Sequence, residues 1–199
     1  MTEGRRTAVS LARLGITDGG AAETLTRLGW WHNGQVRRDA EDTLWALSRA
    51  PDPNLALRSL ARLGHAIGDG WVELDGLMRR DIGVRGRLLG VLGSSTALGD
   101  HLVANQGWHA LASPEAISPG WAEQAAQRLL VAVGADPTSA ANRATLTGVS
   151  AQRALRVTYR ELITELAAAD LAAVVEPELP VVPFEQVAAA LAELAAGVL

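Results

Sequence analysis

Acids and histidines are the residues through which this chain could do chemistry, because it has no cysteine and all 18 of its basic residues are arginine. The missing thiol removes disulfides, thiolate catalysis and cysteine-ligated zinc. The missing lysine removes Schiff-base nucleophiles and the lysine of a phosphate loop. Transfer of a nucleotidyl group needs carboxylates spaced to hold Mg2+ against a triphosphate, commonly Asp-x-Asp on an extended strand behind a Gly-Ser turn. Gly93-Ser94 offers the dipeptide, but Asp100 is the one acid between Ser95 and Gly107, and no Asp-x-Asp occurs in the chain. The nearest imitations are Glu73-x-Asp75, in a helical pattern, and Glu176-x-Glu178, in a proline loop. Gly93-Ser94 therefore reads as helix punctuation, Gly93 closing one helix and Ser94 or Ser95 opening the next.

The four histidines, His32, His65, His101 and His109, fall on separate segments, and none pairs at one-turn helical spacing as a metal set would. His101 and His109 flank Trp108 and read as satisfied surface residues. No Gly-x-Ser-x-Gly elbow and no Gly-x-Gly-x-x-Gly phosphate turn is present. Six tryptophans stand against one phenylalanine and one tyrosine. Trp45, Trp71 and Trp121 occupy apolar positions of helical segments and are expected as core anchors.

The elements that must position these residues are helices. Apolar residues recur at helical spacing in nearly every segment, and the strict alternation of a half-buried strand is nearly absent. The fold class is all-α, a bundle of roughly eight to ten helices. Asp18, Asp39 and Asp52 are expected to cap helices, Asp52 with Pro53 in the first turn where a missing N–H costs nothing. Trp30 to Gln35 and His65 to Gly70 read as turns, and Ser118-Pro119 as the opening of a helix through Trp121. A last amphipathic helix follows Pro183 with Phe184, Val187, Leu191, Leu194 and Val198. Its apolar pattern runs to Leu199 with no polar tail or proline to stop it, as expected of a chain cut within an element. The organisation is a helical subdomain over 1–133, a flexible connection rich in small residues over 134–148, and a long helix plus the amphipathic helix over 149–199.

On the long helix, near residues 150–175, Leu155, Tyr159, Leu162, Leu166 and Ala173 form one apolar stripe. Arg153, Arg156 and Arg160 cluster on the other side, either a solvated face or a surface for another domain or partner. Asp170 lies at the edge of the stripe and is expected to find an arginine.

A net charge of −4 leaves no electrostatic footprint for nucleic acid. No apolar run approaches the roughly 20 residues that span a bilayer, and the apolar start is broken at Arg13 and Asp18. The chain reads as soluble.

The run Arg87 to Val103 followed by Trp108, together with Leu44 to Asp52, Ala56 to Leu63, Leu155 to Arg160 and Ala167 to Ala172, resembles the N-terminal region of bacterial bifunctional glutamine synthetase adenylyltransferase/adenylyl-removing enzymes. The similarity extends from about Leu25 to Leu199. That resemblance implies a cytoplasmic parent that moves AMP from ATP onto a tyrosine of glutamine synthetase and removes it by phosphorolysis, using Mg2+ and two nucleotidyltransferase domains. It implies that this segment is the helical lead-in to the first of them, cut before the domain itself. The family's Gly-Ser and Asp-x-Asp residues lie beyond such a lead-in, so no catalytic, cofactor-binding or metal residue carries over to a position here. The implied partners are the following nucleotidyltransferase domain, glutamine synthetase and a PII-type signal protein. Two other readings remain: a free-standing helical interaction module, and a small enzyme assembled from scattered side chains.

Overall fold

A computed structural model describes residues 10–112, 120–139, 141 and 143–196. Nine α-helices lie among them: α1 Ala21–Arg27, α2 Glu41–Ser48, α3 Pro53–Ile67, α4 Trp71–Arg80, α5 Ile82–Ser94, α6 Thr96–Asn105, α7 Trp121–Ala132, α8 Gly148–Val175 and α9 Phe184–Ala196. The expected all-α bundle is what forms, and the 28-residue α8 is its long helix. The one departure is a two-residue hairpin, in which β1 Trp31–His32 pairs antiparallel with β2 Gln35–Val36. Asn33 and Gly34, both at positive φ, make its turn. The expected opening at Ser118-Pro119 and the terminal Val198 and Leu199 lie outside the described residues.

The centre of the larger core is α5. Val84, Leu88, Leu89, Val91 and Leu92 are all buried, and so are three of its glycines. A helix apolar all round belongs inside a domain, and α5 accordingly packs on α2, α3, α4, α6 and α8. The glycines are what let α8 come so close. A Cβ on Gly86 would stand 2.9 Å from the carbonyl oxygen of Ala172, and one on Gly90 2.9 Å from the Cβ of Leu171. Gly93 is the last residue but one of α5, so the helix ends within a residue of the expected stop. It sits against Ala50, where a Cβ would approach to 2.9 Å. What differs from the expectation is the reason for the glycine: it gives space to a neighbour, and the left-handed cap conformation is not used there. Gly64 is a second such case, because α3 continues through it and through His65 to Ile67, with the Trp71 ring 3.1 Å from where its Cβ would be.

Capping follows chemistry in part. Asp52 accepts from the amides of Asn54 and Leu55 with Pro53 in the first turn, and Ser95 accepts from Leu98 to open α6. Asp81 does the same for α5 through the amide of Val84. Asp18 and Asp39 do not cap. Their carboxylates are drawn to Arg58 and to Arg37 and Arg79, and α1 and α2 begin at Gly20 and Ala40 without a side-chain acceptor.

A second, smaller core joins Trp121, Ala125 and Leu129 of α7 to Leu162 and Leu166 of α8 and to Ala190 and Leu194 of α9. Leu155 and Tyr159 pack against it, so the stripe expected along α8 is its inner face here. Farther along, Ala168 and Val175 turn into the first core. One long helix therefore serves both cores. Among the tryptophans, Trp30, Trp108 and Trp121 are buried, Trp71 is half-buried, and Trp45 is corrected from anchor to surface at 45% exposure.

Candidate functional site

Arg153, Arg156 and Arg160 occur at i, i+3 and i+7, a spacing that places them along one face of α8. The structure brings that face against α6. The three arginines and Val157 line a cleft of about 260 Å3 whose other wall is Asp100, His101, Ala104 and Asn105. All three arginines are exposed. Asp100 is already engaged by Arg62, Nη1 to Oδ1 at 2.6 Å.

His101 departs from its expected surface role, being 6% exposed. Its partner is one helical turn on. The side-chain nitrogen of Asn105 donates to the carbonyl of His101 at 2.9 Å and lies 3.0 Å from His101 Nδ1. A carbonyl only accepts, so the amide nitrogen faces it, and the same group's second hydrogen reaches Nδ1. That assignment leaves the imidazole proton on Nε2. Burial pushes His101 below its ordinary value of 6.5, with Glu161 opposing and Arg160 assisting.

Asp170 is not part of this arrangement. It is exposed, and no arginine pairs with it among the described residues. The acid that does need a partner is Glu176, immediately after α8, whose carboxylate is 4% exposed as a residue and accepts from both Arg85 and Arg49. Arg85 also donates to the carbonyl of Met78 at 3.1 Å, and Arg49 to that of Val175 at 2.5 Å. The last carbonyls of a helix have no partner within it, so Arg49 serves the helix end and the acid together. One sequence signal points to this: a carboxylate at a helix C-terminus faces the negative end of the macrodipole and needs a cation.

The two nearest imitations of a metal-binding acid pair each have a member already engaged. Asp75 accepts from the indole N–H of Trp30 at 2.7 Å and from Arg79 at 2.9 Å. Glu176 is held by two guanidiniums, so neither Glu73-x-Asp75 nor Glu176-x-Glu178 offers free carboxylates side by side. Among the described residues no three His, Asp or Glu converge in a way that could hold a metal. The donor set does not fit a Mg2+-triphosphate. Nor is any helix among them long and apolar enough to cross a membrane.

A larger, mainly apolar hollow of about 670 Å3 opens between α1, α3 and Trp71, with Arg27, Leu28, Arg62, His65 and Val103 in its walls. α9 exposes two large apolar side chains as well. Ala190 and Leu194 turn inward, whereas Phe184 is 79% exposed and Leu191 is exposed too, with Val181 beside them in the preceding loop.

The chain is 44% identical over 188 residues to the bifunctional glutamine synthetase adenylyltransferase/adenylyl-removing enzymes of Mycobacterium leprae and of Mycobacterium tuberculosis strain H37Rv, covering 94% of this chain. The same enzyme of Nocardia farcinica is 44% identical over 197 residues, 96% of this chain. The chain spans only about 18% of the length of the two mycobacterial enzymes and 19% of the third. No family model matches it, and no solved structure matches it.

Proposed function

From a chain homologous over nearly its whole length to a segment of the bifunctional glutamine synthetase adenylyltransferase/adenylyl-removing enzymes, we propose that it is the non-catalytic helical lead-in of such an enzyme, which braces the nucleotidyltransferase domain that follows it. The observation that carries this reading is the ordered identity across 94% of the chain to a small fraction of a much longer relative. Its role in the cell is then the control of nitrogen assimilation through glutamine synthetase, in the cytoplasm. Mg2+ and ATP belong to the rest of the parent in this reading, since Asp75 and Glu176, members of the two nearest imitations of an acid pair, are engaged by arginines and an indole.

The outer face of α9 is the surface this reading assigns to the following domain. Phe184 and Leu191 present large apolar groups on a helix whose other side is already packed, and apolar groups gathered on one face mark a docking surface. Contacts of this segment with glutamine synthetase or a PII-type protein belong to the same proposal.

The test is to supply the chain in trans to a parent polypeptide that lacks it. Binding to the folded form at a hundredfold excess over Kd stabilises by about 2.7 kcal/mol, so the melting transition of the first nucleotidyltransferase domain should rise. A transition that does not move with the chain in large excess contradicts the bracing role. A stop codon directly after Leu199 in the gene favours the free-standing module.

A further inference from the structure

Some arginines of this molecule meet acids, as Arg58 meets Asp18, Arg62 meets Asp100, Arg128 meets Glu165 and buried Arg85 meets Glu176, while others, such as Arg13, Arg38 and Arg80, stand singly without one among the described residues. Arg153, Arg156 and Arg160 meet none among the described residues. Cations three and four residues apart on one helix face repel one another and work against the helix that carries them. The acid in the cleft wall is committed to Arg62, and Glu161 faces Arg128 at 3.7 Å. His101, neutral in the arrangement described, adds no further charge but contributes polar lining together with Asn105.

We propose that the cleft between α6 and α8 binds a small phosphate-bearing molecule, whose phosphate oxygens are held by Arg153, Arg156 and Arg160. Charge and size both favour phosphate over carboxylate. Among the described residues no carboxylate is met by more than two arginines, the cases of two being Asp39, with Arg37 and Arg79, and Glu176, with Arg49 and Arg85. Three guanidiniums suit a dianion with more acceptor oxygens, and the planar guanidinium fork is the side chain best matched to phosphate. A water's share of liquid volume is about 30 Å3, so the 260 Å3 cleft is larger than a bare phosphate requires. The phosphate can therefore arrive as the free ion or as a phosphomonoester. The bracing role does not enter this argument, and either can fail without the other.

Isothermal titration of the whole chain with inorganic phosphate and with ribose 5-phosphate, at constant ionic strength, tests it. The expected result is saturable one-to-one binding of at least one probe, the tighter of the two identifying the source. Arg156→Gln should weaken it about tenfold or more, in line with the loss of a charge-assisted hydrogen bond. Arg38→Gln, which removes the same charge from an exposed residue outside the cleft lining, should leave it unchanged. Circular dichroism checks that both variants remain helical. Absence of saturable binding with both probes overturns the proposal, and so does equal weakening by Arg156→Gln and Arg38→Gln, which would reduce the effect to net charge.

Discussion

Arg85 and Glu176 lie 91 residues apart in sequence, and the guanidinium of the first donates to the carboxylate of the second where the two residues are 5% and 4% exposed. That pair, with Arg49 on the other carboxylate oxygen, ties the end of α8 to α5 and to the turn after α2. Whatever α8 presents on its surface is held in place from this end.

Removing one partner of a buried ion pair strands the other and costs about 3–5 kcal/mol. Glu176→Gln should lower the unfolding free energy by that order, read as a lower urea midpoint with little change in slope. Arg85→Met should cost a similar amount, and the double variant clearly less than the two added together. Simple additivity in the double-mutant cycle contradicts coupling between the two groups.

Glycine-to-alanine changes should split by location. Alanine favours a helix interior by about 1 kcal/mol, but at Gly90 the new Cβ meets Leu171 at 2.9 Å, and forced overpacking typically costs about 1–3 kcal/mol. Gly90→Ala should therefore destabilise. Gly76→Ala should stabilise by roughly 0.5–1 kcal/mol, since the atom it meets, at 3.1 Å, is the mobile tip of Arg80. Thermal melts of the two variants decide it, and a stabilised Gly90→Ala contradicts the close approach of α5 and α8.

Much of this architecture was legible from periodicity: α8, α9, the Asp52 cap and the Ser95 cap all follow from local patterns. What local pattern cannot show is which neighbour arrives. Gly64 looks like a helix stop until Trp71 is placed against it, and the need for glycine at Gly93 shows only once Ala50 is beside it. Trp45 and Trp30 are reversed for a like reason, because Trp30 finds Asp75 for its N–H across 45 residues whereas Trp45 remains 45% exposed. The arginine trio was visible as a cluster at helical spacing, but its facing wall of His101 and Asn105 comes from another helix. Glu176 looks in sequence like part of a proline loop, because burial of an acid depends on cations from distant segments.

Asp75 anchors an indole that is fully buried. Asp75→Ala leaves the Trp30 N–H without its acceptor, and a buried unsatisfied donor costs about 1–3 kcal/mol. Urea titration should show a loss in that range. A loss below about 0.5 kcal/mol, typical of surface substitutions, contradicts the role.

Stability should depend on His101 as pH falls. Its folded value lies below 6.5 because burial penalises the imidazolium, Glu161 opposing and Arg160 assisting. Arg153, Arg156 and Asp100 share the cleft with it. The unfolded chain gains a proton near pH 6.5 while the folded chain resists, so this contribution is full above that value and declines as pH falls through it toward the folded value. Between about pH 7.5 and about pH 5.5 the unaltered chain should lose more stability than His101→Gln, the window being that of an ordinary histidine. Equal losses contradict the assignment.

The α9 face should drive self-association when no domain covers it. Light scattering of Phe184→Ser/Leu191→Ser should show less oligomer than the unaltered chain at equal concentration, both positions being exposed and free to change without cavity formation. Unchanged scattering contradicts the assignment of that surface.

The most direct test of the central claim is an assay of nucleotidyl transfer by this chain alone. With Mg2+-ATP and unmodified glutamine synthetase, and with phosphate and the AMP-bearing form, no AMP should be gained or released above the protein-free blank. Turnover of either form in proportion to the amount of chain added would contradict that claim.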